Sequence, residues 1–338
     1  MNILFALFER EYNDAVWHAL NVASALRQDG HDTRIALETN SPVARAVRDA
    51  KLPIEKILSP NDGFFARLHQ RATFKALRSR FNVDMLVSYG ETPSGAKQLK
   101  AASFINVVCG VGEKIAWVKS AKRVIAASKA VKNDLIERYS LNGDRVFVVY
   151  GGLDPLEPSV RAKRRAEARA RLELSDENVL IGILGDPDED GGHRLLVEAL
   201  TSRYHKNLKL IAFTDDDSQI EPFRRLCRKY NIASVALAET IERDDLFALC
   251  ALDVGVIASP KPNGTANKAI ALIAAGVSVV ATTISADGEL ANAKNRFDEP
   301  YPSALLDAII AHVENDKRFD RASLYAAWRA ATINTRAK

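Results

Sequence analysis

The loop Ser259-Pro260-Lys261-Pro262-Asn263-Gly264-Thr265-Ala266-Asn267-Lys268 gathers the residues best suited to holding an anion. Gly264 and Thr265 stand just before an apolar helical run, whose free N–H groups and positive end can receive a phosphate. Lys268, together with Lys261, would add formal positive charge. The same residues also make an ordinary capped helix start with two solvated lysines, and both readings stay open. Two acidic runs have the opposite character: Asp186-Pro187-Asp188-Glu189-Asp190 and Asp215-Asp216-Asp217, each following a strand-like run. A carboxylate about 6 Å from a phosphate costs roughly 3 kcal/mol at an effective dielectric near 20. The runs are therefore expected to be solvated loops, the alternative being a magnesium-type cation that bridges them to phosphate. The 6 histidines show no metal-ligand spacing and no Ser/His/Asp grouping. Neither a resident metal or cofactor nor a hydrolytic triad is expected.

The chain that must position these residues has 338 of them, enough for about two domains. It is 47% hydrophobic and 27% charged, which excludes disordered, collagenous and fibrous classes. A net charge of +4 does not imply a nucleic-acid partner. Cys109, Cys227 and Cys250 are odd in number and lack C-x-x-C spacing, which argues against a disulfide framework. The first residues have no basic n-region and no apolar run reaches about 18 residues, so the expected location is the cytoplasm.

Short runs rich in Val, Ile and Leu alternate with helical patterns. Strands are expected at Asn2–Leu7, Thr33–Leu37, Asp84–Tyr89, Phe104–Cys109, Arg123–Ala127 and Val146–Tyr150. A second set is expected at Val179–Leu184, Leu208–Phe213, Ser234–Leu237, Asp253–Ile257 and Ser278–Ala281. Between them lie helical segments such as Asp14–Arg27, Val131–Tyr139, Arg194–Ser202 and Ala266–Ala275. Continuous apolar strands with intervening helices predict doubly wound parallel α/β layers. Gly and Pro crowd at Gly151–Pro158, so a hinge falls there, and the basic segment Arg161–Arg171 ahead of the second set, with Glu167 as its only acid, is expected to be a solvated linker helix. Two such domains would hold a ligand at the carboxyl ends of their strands.

Several pieces, in order, resemble the retaining nucleotide-sugar glycosyltransferases of the GT-B fold, of the large family-4 type. They are Val124–Ser128, Ala130-Val131, Leu135, Val146–Val149 and Gly152-Leu153-Asp154, with Gly151 in the place of the family's Asn. The Gly30-His31-Asp32 turn, Gly185, Gly192, Leu195–Leu200 and above all Ala274–Thr282 continue the likeness over essentially the whole chain. The resemblance implies an N-terminal acceptor-side domain over 1–155, a linker over 156–172 and a nucleotide-sugar domain over 173–316. A C-terminal helix over 317–338, near Ser323–Ala331, would return to the first domain. It also implies that Gly185 lies beside the donor, that Glu289 follows the family's Gly-rich turn, and that Glu9, Arg10 and Asn13 face the acceptor.

The side chains that carry chemistry in that family are the ones missing. Its diphosphate-binding Arg and Lys fall at Asp186 and Gly191, and its two glutamates eight apart fall at Asn263 and Ala271. The family's sugar-contacting histidine falls at Cys109. The donor site is therefore expected to rest on Gly185, Asn263, Gly264, Thr265, Lys268 and Glu289. The function implied is transfer of a hexose-type sugar from a nucleotide diphosphate donor to a polysaccharide or lipid-linked acceptor, with retention. The alternative is an inactive pseudo-glycosyltransferase that binds a partner. Phe64 to Phe81 carries Arg67, Arg71, Lys75, Arg78 and Arg80 with no acid, interleaved with aromatic and aliphatic residues. It reads either as a half-buried helix with a solvated cationic edge or as a peripheral contact with the inner face of the cell membrane.

Overall fold

Every principal strand is an aliphatic run that needs cover on both faces, and the chain supplies that cover from helices on either side. The computed structural model describes residues 1–312 apart from 10, 39, 58–62, 91, 94, 120, 176–177, 186–191, 202–207, 214–217, 219, 233, 238–245 and 299–300. The chain forms two compact units that divide between Gly152 and Leu153, inside the Gly/Pro-rich stretch.

The first unit runs β1 (Asn2–Ala6), α1 (Asp14–Gln28), β2 (Asp32–Glu38), α2 (Ala44–Asp49), β3 (Ile54–Ile57), α3 (Gly63–Arg80), β4 (Met85–Tyr89), β5 (Ser103–Val108), β6 (Val124–Ala126), α4 (Lys129–Tyr139) and β7 (Val146–Val148). Its seven strands lie in the order β3-β2-β1-β4-β5-β6-β7, and the pairing is parallel, with Phe5 opposite Ile35 on one side and Val87 on the other. Alternation along the strands splits the core in two. Ile3, Phe5, Met85 and Val87 face Val16, Leu20 and Leu26 of α1; Leu4, Ala6 and Leu86 face Phe74, Leu77 and Phe81 at α3. Asn13 caps α1 by accepting from the Val16 N–H at 3.0 Å. At the other end Gly30 takes φ +85, which turns the chain back into β2. The sequence reading missed β3, whose Ile-Glu-Lys-Ile run is half polar. It is an edge strand, and its Glu55 is held by Arg34 at 3.0 Å and Arg80 at 3.4 Å.

The second unit runs α5 (Pro158–Arg171), β8 (Val179–Leu184), α6 (His193–Thr201), β9 (Leu208–Phe213), α7 (Ile220–Lys229), β10 (Ser234–Leu237), β11 (Val254–Ile257), α8 (Asn267–Ala274), β12 (Ser278–Thr282), α9 (Ala286–Leu290), β13 (Arg296–Phe297) and α10 (Pro302–His312). Its sheet order is β10-β9-β8-β11-β12-β13, with the reversal between β8 and β11. Leu180, Ile211 and Val279 pack with Ala271 and Leu272 of α8 on one face; Ile181, Ile183, Leu210 and Val256 pack with Leu196, Phe223 and Leu305 on the other.

The basic segment read as a solvated linker helix is instead docked. Arg169 of α5 is 7% exposed. Arg165 donates to the Leu252 carbonyl at 2.7 Å, and Arg169 donates to the Ser175 and Asn178 carbonyls at 2.8 and 2.7 Å. Both arginines pair with Asp253, which also accepts from the Leu180 N–H at 2.7 Å. A charge run read only by composition hides this, because guanidinium forks satisfy carbonyls that would otherwise be orphaned at a turn. The expected return of a helix near Ser323–Ala331 lies outside the described residues, as do Arg10 and the acidic runs at 186–190 and 215–217.

Candidate functional site

In an open parallel sheet the ligand crevice forms where strand order reverses, at the carboxyl edge. In the second unit that places it at the ends of β8 and β11. Gly185 follows β8 with φ +121, and Gly192 returns with φ +72, so close to β11 that a Cβ would stand 2.1 Å from the Ala258 carbonyl oxygen. Only glycine fits that approach. The loop after β11 then leads into α8, whose Lys268 reaches back across the reversal point. Its Nζ lies 3.0 Å from the position a Cβ would take on Gly185. Lys268 is half-buried, and among the described residues no ion-pair partner is present for it.

The loop itself is held from below. Asn263 donates from Nδ2 to the Thr265 carbonyl at 3.1 Å and to Asp287 Oδ2 at 2.7 Å, and its Oδ1 accepts from the Ala286 N–H at 2.6 Å. Asp287, fully buried, also accepts from the Ala269 N–H at 2.9 Å. Thr282 Oγ1 donates to the Ser259 carbonyl at 2.8 Å. Asn263 is thus the knot that joins the loop to α9 rather than a side chain presented to a ligand. The N-terminus of α8 differs from the sequence expectation for the same reason: a buried carboxylate already occupies one of its first-turn N–H groups, which leaves less of the helix dipole for an anion. The concentrated charge available there is the Lys268 ammonium. Thr265 is buried, Gly264 half-buried, and Glu289 half-buried in the first turn of α9. Ala271, at the second glutamate position, is 1% exposed and packed in the core.

At the first unit's carboxyl edge, Asn13 Nδ2 donates to Glu9 Oε2 at 2.8 Å, so two of the three residues expected on the acceptor side engage each other. Burial, then the charge of Glu9, raises the pKa of Glu113. Burial, then the charges of Glu113, Asp14 and Glu9, lifts the Cys109 thiol well above its ordinary pKa. The position expected to meet a sugar through histidine therefore carries a neutral thiol.

Sequence reasoning passed over His18, which the fold makes central to this edge. Its Nε2 is 2.7 Å from the Val149 carbonyl, and its Nδ1 is 2.7 Å from the Tyr89 hydroxyl. A carbonyl only accepts, so Nε2 carries the proton and Tyr89 donates to Nδ1. Burial pushes the pKa of His18 down to about 4, so the ring is neutral. Gly151, with φ +79, packs against it; a Cβ there would sit 3.2 Å from His18 Cδ2. The ring ties α1 and β4 to the segment leading out of the first unit. The available signal was a polar residue on the buried stripe of α1, between Trp17 and Ala19.

No protein-family model matches the chain, and no curated protein matches it in sequence. Solved structures do match in fold. A glycosyltransferase from Rickettsia africae superposes with TM-score 0.75 at 17% identity, over 98% of this chain and 94% of that one. HepE of Anabaena, determined with UDP and glucose, gives 0.70 at 15% identity over 99% of both chains. A sucrose-phosphate synthase from Thermosynechococcus elongatus gives 0.63 at 15% identity over 98% and 96%. The fold is the GT-B fold of glycosyltransferases.

Proposed function

We propose that this chain binds a nucleoside diphosphate sugar at the β8/β11 reversal of its second unit, and that Lys268 is the cation that receives the diphosphate. The carrying observation is the Lys268 ammonium held 3.0 Å from the Cβ position of Gly185. A side chain on residue 185 would fill the approach, and the ammonium supplies positive charge of the kind the resemblance would carry as Arg and Lys at positions 186 and 191. The diphosphate would lie along Gly185, Gly264, Thr265 and Lys268, with Glu289 at the margin. The reaction is transfer of a hexose-type sugar to a polysaccharide or lipid-linked acceptor with retention, and Glu9, Arg10 and Asn13 belong to the acceptor side. HepE, similar in fold, was determined with UDP-glucose, which makes a uridine donor the first to try.

A second reading, a non-catalytic nucleotide-sugar binder, is favoured by one observation: both positions where the family carries glutamates are committed to structure. Asn263 is engaged at both ends of its amide, and Ala271 is packed in the core. Calorimetric titration with UDP, GDP, ADP and CDP, with and without magnesium, tests the shared part of both readings. Binding of one nucleotide, weakened at least tenfold by Lys268→Ala, is the expected result; a charge-assisted bond worth about 1.5 kcal/mol or more gives that factor. Equal affinity in the variant removes Lys268 from the site.

A further inference from the structure

The helix that carries Lys268 starts without a cap of its own. At the heads of α1, α4 and α9, Asn13, Ser128 and Ser285 each accept the N–H three residues on, at 3.0, 3.1 and 3.1 Å. The corresponding residue of α8 is Ala266, which has no side-chain oxygen to offer. The acceptor comes from the neighbouring helix instead. Asp287 Oδ1 lies 2.9 Å from the Ala269 nitrogen, and Ala269 is again three residues past the cap position. The same carboxylate accepts from Asn263 Nδ2 at 2.7 Å, and that nitrogen also donates to the Thr265 carbonyl at 3.1 Å. Thr265 and Ala269 are thus tied, one through Asn263 and one directly, to a single carboxylate, and Lys268 stands between them.

The base of this arrangement is firm. Ser285 Oγ donates to the Thr282 carbonyl at 2.9 Å, and Thr282 Oγ1 donates to the Ser259 carbonyl at 2.8 Å. A Cβ on Gly288 would stand 2.0 Å from the Thr282 carbonyl oxygen, so the turn from β12 into α9 is closed tightly. Asp287 is fully buried upon it. We infer that Asp287 is a positioning residue: it caps α8 from the neighbouring helix and thereby aims the Lys268 ammonium at Gly185. The inference rests on the reading of Lys268 as the diphosphate cation. A lysine is a point charge on a flexible four-carbon stem, and where that charge stands depends on the backbone the stem leaves. Holding the N–H just after Lys268 and the Thr265 carbonyl before it fixes that departure. A first turn without a cap leaves its N–H groups unsatisfied and frays, and the ammonium would then sample many positions besides the one 3.0 Å from the Cβ site of Gly185. The carboxylate supplies geometry and the ammonium supplies charge, which accounts for a buried acid so near a site for an anion.

The first test needs no nucleotide. The full chain is treated briefly with acetic anhydride, and acylation of Lys268 is read by peptide mass spectrometry against Lys163, whose side chain is 78% exposed. Lys268 should label more slowly than Lys163 in the parent, and at least about threefold faster in Asp287→Ala than in the parent. Asp287→Asn keeps one oxygen for the Ala269 N–H and loses the bond from Asn263. It should fall between, about twofold above the parent, and it carries the test should Asp287→Ala not fold. Asp253→Ala, at the opposite end of β11, should melt early yet leave Lys268 labelling as in the parent. The second test is a double-mutant cycle read by UDP titration. Asp287→Ala should weaken binding about fivefold in the parent and less than about twofold in Lys268→Ala, because the aim matters only while the ammonium is there. Unchanged labelling, an equal rise in Asp253→Ala, or equal loss of affinity in both backgrounds overturns the inference. If the parent binds no nucleotide, the donor reading falls, and the labelling ratio alone upholds or overturns the aim of Lys268.

Discussion

The Lys268 ammonium and the bare Cα of Gly185 meet across the reversal point of the second sheet, one from the start of α8 and one from the end of β8. Two alanine substitutions separate that contact from mere packing. At Gly185 the nearest obstacle is the tip of a flexible lysine, so Gly185→Ala displaces the ammonium at the cost of backbone strain at φ +121. About 1–3 kcal/mol of destabilisation and a loss of nucleotide affinity beyond fivefold are expected. At Gly192 the obstacle is the Ala258 carbonyl itself, 2.1 Å away. Gly192→Ala should cost roughly 3 kcal/mol or more, with a drop of several degrees in melting temperature. Paired melting curves and UDP titrations check both. Two variants of equal stability would show that the β8 and β11 loops are not clasped as described.

His18 sets a pH dependence. Its pKa falls to about 4 in the fold from 6.5 in the open chain, so the unfolded state binds the proton first as pH drops. Above about pH 6.5 both states are neutral and His18 contributes no slope. Between about 6.5 and 4 the native state loses about 3 kcal/mol relative to the unfolded one, and below that the loss is complete. His18→Gln removes the titration, and its amide can still donate to the Val149 carbonyl. Denaturant melts at pH 7 and pH 4.5 should show a smaller drop in the variant than in the parent. An identical drop would mean that other groups carry the acid sensitivity.

The sequence made the sheets legible because parallel strands buried on both faces read as unbroken aliphatic runs: Val179–Leu184 and Ser278–Ala281 stand out for that reason. The strands it did not reveal, β3 and β13, are short and lie at sheet edges, where burial on one side erases the signal. Gly185 and Lys268 were named from the sequence, but their meeting was not, since proximity across a crossover has no local signature. For Asn263 the side-chain type was legible and its use was not. An amide before a helix serves a ligand or a knot equally well until Asp287 and Ala286 are seen beneath it.

Asp253, half-buried, should be a sensitive acid of the second unit. It receives Arg165, Arg169 and the Leu180 N–H together. Asp253→Ala leaves a 7%-exposed Arg169 without its carboxylate, and losing a partner of that kind costs about 3 kcal/mol. Urea unfolding should show the change as a lower midpoint with an unchanged slope. A shift under about 0.5 kcal/mol would show that the backbone carbonyls alone satisfy the arginines.

On the non-catalytic reading, sugar transfer by the unmodified protein is weak or absent with common nucleotide sugars, and placing a glutamate at Asn263, as in the glycosyltransferases the sequence resembles, should not restore it. Asn263→Glu removes the Nδ2 donor from Thr265 and Asp287 and sets a carboxylate against the buried Asp287 carboxylate. Lost hydrogen bonds at about 1 kcal/mol each, with like-charge repulsion in a buried site, predict roughly 3 kcal/mol of destabilisation. If that repulsion dominates, Asp287→Asn in the same chain should recover a large part of it, because an amide can donate to the new carboxylate and its oxygen can still accept from the Ala269 N–H. A double-mutant cycle measures the coupling, expected at more than about 1 kcal/mol between two residues in direct contact. Additive effects would mean that Asn263 and Asp287 act independently. Ordinary enzymatic turnover by the parent protein would show that transfer proceeds without a glutamate at this knot.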